Sequence, residues 1–121
     1  MDKLKRIHIN IWDDYYEDGY VPEGKIQETE IYVEESGIPE DKHEECLQKL
    51  LDYMKGLDLE GVKFWLHLFD SRKKYPTFRV WKRWEIKIEH LTHERREKLV
   101  EELNAANLSI DNTPFFIYSE S

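Results

Sequence analysis

Cysteine is nearly missing from this 121-residue chain: Cys46 stands alone, so no internal disulfide can form. A small secreted domain that leans on disulfides is thereby excluded, and a reducing, intracellular and cytoplasmic setting is expected. No apolar run approaches the roughly 20 residues of a membrane-spanning helix, so no membrane partner is expected. The opening Met1-Asp2-Lys3-Leu4-Lys5-Arg6-Ile7 has no apolar h-region and no small-residue cleavage site, so it is not read as a signal peptide. Glycine and proline number only five and four, too few for a low-complexity chain or a linker between domains. A Gly-rich phosphate loop, a nucleophile elbow and a His-Glu-x-x-His pair are all absent. No cofactor is expected on these grounds.

Aromatic residues are plentiful. Four Trp, seven Tyr and five Phe supply the apolar area that offsets chain entropy, which argues for a folded domain. The length fits one domain, 1–121, able to bury about two thirds of its unfolded surface. Charged residues make up 36% of the chain and the net charge is −8. That charge is uneven. Residues 1–61 carry 17 Asp and Glu against 7 Lys and Arg, whereas residues 62–121 carry 9 against 11. The acidic total opposes a general affinity for nucleic acid.

The chain reads as one unit written twice. Ile7-His8-Ile9-Asn10-Ile11-Trp12-Asp13-Asp14 parallels Phe64-Trp65-Leu66-His67-Leu68-Phe69-Asp70-Ser71. Glu30-Ile31-Tyr32-Val33 parallels Glu85-Ile86-Lys87-Ile88, and an acidic-to-apolar helix follows each. Alternation predicts strands at about 4–13, 26–35, 62–70 and 78–90. Helices are predicted at about 40–56 and 93–106. Leu47, Leu50, Leu51 and Met54 make the first apolar stripe, and Leu99, Leu103 and Ala106 the second. Acidic residues crowd the start of the first helix, Gly56 is a candidate stop and Thr92 a candidate N-cap. A last strand is expected at Phe115-Phe116-Ile117-Tyr118. Strand 62–70 is apolar on both faces, which predicts a central or doubly covered position.

The expected fold is α+β: a two-layer sandwich in the order ββα-ββα-β, with a mainly antiparallel sheet and two helices on one face. The same order also accommodates a ferredoxin-like core with an added N-terminal strand.

Three places could carry function. The first is the acidic segment Asp13, Asp14, Tyr15, Tyr16, Glu17 and Asp18, suited to a basic partner through carboxylate–Arg pairs and rigid Tyr contacts. It lacks the ligand spacing of a calcium loop. The second is its electrostatic opposite: Arg72, Lys73, Lys74, Arg79, Lys82 and Arg83, interleaved with Tyr75, Phe78, Trp81 and Trp84. Cations for phosphates and rings for bases would suit nucleic acid, and the same mixture suits an acidic protein surface. The third is the helix-free sheet face, which alternation furnishes with His8, Asn10, Trp12, Tyr32, Trp65, His67 and Phe69. An aromatic patch of that size marks a partner site, or is covered by a loop or by a second copy in a homodimer.

Signals for catalysis and metal binding are thin. His8 with Asn10 and His67 with Phe69 only partly resemble the His-x-Thr or His-x-Ser strands of two-histidine phosphoesterases, because both hydroxyls are missing. His43 with Cys46 and His90 with His93 give two ligands each, short of a structural zinc set. Cys46 sits on the core side of its helix, where a small buried hydrophobe fits. The leading expectation is a non-enzymatic protein that binds another protein, as an inhibitor, antidote or accessory factor. Nucleic-acid binding through 72–84 is the first alternative. A His-dependent hydrolase or phosphoesterase-like enzyme is the second.

Overall fold

The computed structural model describes residues 6–14, 28–34, 40–70 and 82–120. Among these residues six strands and two helices follow one another: β1 (Ile7–Asp14), β2 (Glu28–Val33), α1 (Glu40–Met54), β3 (Lys63–Asp70), β4 (Lys82–Glu89), α2 (His93–Ala105), β5 (Ser109–Ile110) and β6 (Thr113–Glu120). This is an α+β fold built on one six-stranded sheet, ordered β3-β4-β2-β1-β6-β5.

The sheet is mixed, which corrects the expectation of a mainly antiparallel one. β1 pairs with β6 in parallel, Ile9 beside Ile117. The connections impose this direction. The β1–β2 and β3–β4 hairpins meet through β2 and β4, again antiparallel, so β1 and β4 point the same way. The chain then turns back through α2, and β6 resumes the direction of β4 and therefore of β1. The first strand is not appended at an edge, as an addition to a ferredoxin-like core would be. It lies between β2 and β6.

Period-two alternation sets the two faces of the sheet. Ile7, Ile9 and Ile11, Ile31 and Val33, Ile86 and Ile88, and Phe115 and Ile117 all point into one buried cluster. The α1 stripe of Leu47, Leu50, Leu51 and Met54 joins it, as do Leu99 and Leu103 of α2. Cys46 is in the same cluster. Ala106 is only half-buried and caps the C-terminus of α2. Arg96 takes the remaining inward position of that helix, with its Nη2 2.8 Å from His93 Nδ1 and 3.1 Å from Glu97 Oε1.

Local signals explain the helix ends. Thr92 Oγ1 accepts the Arg95 N–H at 3.3 Å, satisfying a donor that the first helical turn leaves over. Gly56 closes α1 differently from expectation. Its N–H bonds to the Tyr53 carbonyl at 3.0 Å without a left-handed backbone, which appears instead at Gly61, where φ is 79°. The two-residue strand β5 has no counterpart in the expected elements. Asp111 and Asn112, with φ of 50° and 65°, form the tight turn that joins it to β6, and both residue types tolerate that region.

β3 contradicts the expected central position. It pairs only with β4 and forms the outer edge among the described strands. Its apolar character on both faces leaves Trp65 and Leu68 each 38% exposed, on opposite faces.

Candidate functional site

Residues that alternate with the core positions make up the opposite face of the sheet, which carries neither helix. Register arranges them in rows across four strands. One row runs Trp12, Glu30, Lys87, Trp65. The next holds Asn10 beside Tyr32 on one side and Tyr118 on the other, with His67 across from Glu85. A third has His8 beside Phe116 and Phe69 beside Arg83. All seven residues assigned to this face by alternation are on it. Phe116 and Tyr118 belong to it as well, and the alternation of Phe115 and Ile117 inward would have shown them.

Polar contacts organise the middle of the face. Arg83 Nη2 lies 3.2 Å from Glu85 Oε2 and 3.6 Å from Glu30 Oε2. Its guanidinium stacks 4.1 Å above the Tyr32 ring. Lys87 Nζ reaches Glu28 at 3.6 Å and Glu30 at 3.8 Å. Asn10, fully buried, donates to the Tyr32 hydroxyl at 2.8 Å. The Tyr118 hydroxyl donates to Glu34. His8 packs edge-on against Phe116 and Tyr118, and Arg6 covers the Phe116 ring at 4.3 Å.

Glu85 is the unexpected member. It is fully buried, and its Oε1 has no hydrogen-bond partner among the described residues. Burial pushes its carboxyl above the usual carboxylate range, more than Arg83 and Lys87 pull it down. A Glu in a strand of alternating charge reads as solvated in sequence, so nothing there announces its burial.

The two indoles at the ends of the first row stay exposed, Trp12 at 39% and Trp65 at 38%. They stand three strand spacings apart, about 14 Å. The pair brackets the Glu30–Lys87 ion pair, giving a flat strip with apolar ends and a charged middle. A strip of this kind can bury aromatic area and exchange hydrogen bonds at once, the usual anatomy of a protein contact. It offers no assembled nucleophile. His8 and His67 share the face but are held apart by β2 and β4.

The remaining sequence candidates divide by position. Tyr15, Tyr16, Glu17 and Asp18, and likewise Arg72, Lys73, Lys74, Arg79 and Trp81, lie outside the described residues. Asp13 and Asp14 end β1. Lys82 is exposed and registers with Asp70, while Arg83 is committed to Glu30 and Glu85. Among the described residues no group of three or more His, Cys, Asp or Glu could hold a metal ion. No helix among them is long and apolar enough to cross a membrane.

No family model matches the chain, and neither a curated protein nor a solved structure matches it.

Proposed function

We propose that the protein works by binding another protein through the helix-free sheet face, as an inhibitor, antidote or accessory factor without catalysis of its own. The observation that supports this most is the pair of exposed indoles, Trp12 and Trp65, at the ends of a single row. Trp is the residue type most enriched among interface hot spots, and its rigid ring gives large contact area at low entropic cost. The ion pairs between them favour a polar, oriented contact over an indiscriminate apolar one.

The partner is a protein with basic groups facing the strip. Glu28, Glu30, Glu34, Glu85 and Glu89 outnumber the cations Arg6, Lys63, Arg83 and Lys87 on this face, and β1 leads from Trp12 into the acidic run Asp13 to Asp18. The reading treats the molecule as two ββα units in a two-layer sandwich, joined through β2 and β4, with Trp12 and Trp65 at the two ends of one row across the joint face. Localisation in the cytoplasm belongs to the same reading.

Capture from a nuclease-treated lysate of the source cells tests it. The wild-type chain should retain one protein partner that the Trp12→Ala, Trp65→Ala double variant loses. Retention that disappears on nuclease treatment would favour nucleic acid and the basic segment 72–84. An equal yield from both baits would remove the face from the binding site.

A further inference from the structure

We infer that Glu85 is a proton switch set beneath the strip between Trp12 and Trp65. As a carboxylate it keeps the strip attractive to a basic partner, and a proton bound there weakens the contact. The inference rests on the helix-free face being the binding site and concerns how that site is regulated.

The charged groups in the middle of the face form one network. Arg83 Nη2 lies 3.2 Å from Glu85 Oε2 and 3.6 Å from Glu30 Oε2. Lys87 Nζ lies 3.6 Å from Glu28 and 3.8 Å from Glu30. Three carboxylates thus share two cations, which leaves one negative charge in excess. A single proton would balance the network.

Geometry selects Glu85 for that proton. Glu30 has both cations beside it, and Glu28 keeps 39% of its side chain exposed. Glu85 has no exposed surface, and its Oε1 has no hydrogen-bond partner among the described residues. A bare oxygen held away from water disfavours the charged form. The carboxyl accordingly lies above its ordinary 4.5, with burial the largest cause and Arg83 and Lys87 acting against it. Two further titratable groups face it. Tyr32 on β2 lies under the Arg83 guanidinium at 4.1 Å, and His67 on β3 is in register with Glu85.

Protonation takes Glu85 out of the network, and Glu28 and Glu30 then balance Arg83 and Lys87. The middle of the strip turns from net negative to neutral, and its pull on basic groups falls. Linkage fixes the sign. The partner binds the carboxylate form better, so affinity rises with pH through the Glu85 midpoint, and the bound partner lowers that midpoint.

Carbon-13 NMR of the side-chain carboxyls of the full chain, taken from pH 4 to 8, tests the switch first. The Glu85 midpoint should lie above 4.5, and the Arg83 Nε–H resonance should move with the same midpoint. A midpoint at or below 4.5, or an Arg83 resonance that does not follow it, would overturn the proposal. Calorimetry with the purified captured partner comes second. At pH 7.5, Glu85→Gln should bind about threefold or more weakly than wild type. At pH 4.5, where more than half of Glu85 already carries its proton, the two should converge. Both chains retain His67, so its own charging in acid cancels from the comparison. Equal affinities at pH 7.5 would also overturn the switch. The carboxyl titration needs no partner, so it can fail while the Trp12 contact stands, and the Trp12→Ala comparison can fail while Glu85 still titrates as described.

Discussion

Arg83 Nη2 lies 3.2 Å from Oε2 of Glu85, a carboxylate with no exposed surface, while Arg83 itself keeps 30% of its side chain in contact with solvent. The pair is thus lopsided. Glu85 has lost its water and depends on Arg83, whereas Arg83 also reaches Glu30 at 3.6 Å. Removing the cation should therefore hurt more than removing the acid. Arg83→Met is expected to destabilise the fold by about 3 kcal/mol at pH 7, because a buried charge is left without its partner. Chemical denaturation at pH 7 checks this, and the loss should shrink near pH 4, where a protonated Glu85 needs no counter-charge.

Glu85→Gln should behave in the opposite sense. The folded-state pKa of Glu85 is raised above its ordinary 4.5, chiefly by burial. Such a shift favours folding below the unfolded pKa, and that contribution is lost as pH climbs through the folded value. The amide removes this loss, and Arg83 keeps Glu30. Thermal melts of Glu85→Gln should match or exceed the wild type at pH 7 and lose that advantage near pH 4. A variant clearly less stable than wild type at pH 7 would mean that the ion pair outweighs the burial cost.

Asn104 holds β6 by two hydrogen bonds to the Ile117 backbone, both at 2.9 Å. Asn104→Ala leaves a backbone donor and acceptor without their partner in a half-buried setting, at a cost of about 2 kcal/mol. Asn104→Asp should also destabilise, because a carboxylate cannot donate to the Ile117 carbonyl. Urea midpoints at an unchanged slope would report both effects.

Cys46 is fully buried, and desolvation, aided by Glu45, pushes its thiol up to about 11. Thiolate is the reactive form, so maleimide at pH 7.5 should leave the native protein unlabelled. Labelling should follow unfolding and rise with denaturant along the same transition as the circular dichroism signal.

Side-chain direction was the most legible property of the sequence. Alternation of Ile7, Ile9 and Ile11 against His8, Asn10 and Trp12 assigns both faces, and the stripes of Leu47 to Met54 and Leu99 to Leu103 assign the inner side of each helix. Strand order was not legible. A period of two states which way a side chain points and is silent on which strand lies beside it. The run from Phe64 to Phe69 accordingly suggests a central or doubly covered strand, yet β3 is the outermost of the described strands. For the same reason β1 gives no sign of its place between β2 and β6, and that place makes the sheet mixed. Burial of Glu85 and Arg96 also escapes pattern reading, since each stands among charged residues and only tertiary packing removes its water. The Asp111-Asn112 pair was a readable turn signal for β5.

Binding through Trp12 and Trp65 is the central claim, and calorimetric titration of the purified captured partner tests it most directly. The wild-type chain is titrated beside Trp12→Ala, whose fold is verified by circular dichroism. An interface anchor typically contributes about 2 kcal/mol or more, so Trp12→Ala should weaken binding at least about thirtyfold. An unchanged dissociation constant for a folded Trp12→Ala would contradict the account and move the contact off this face.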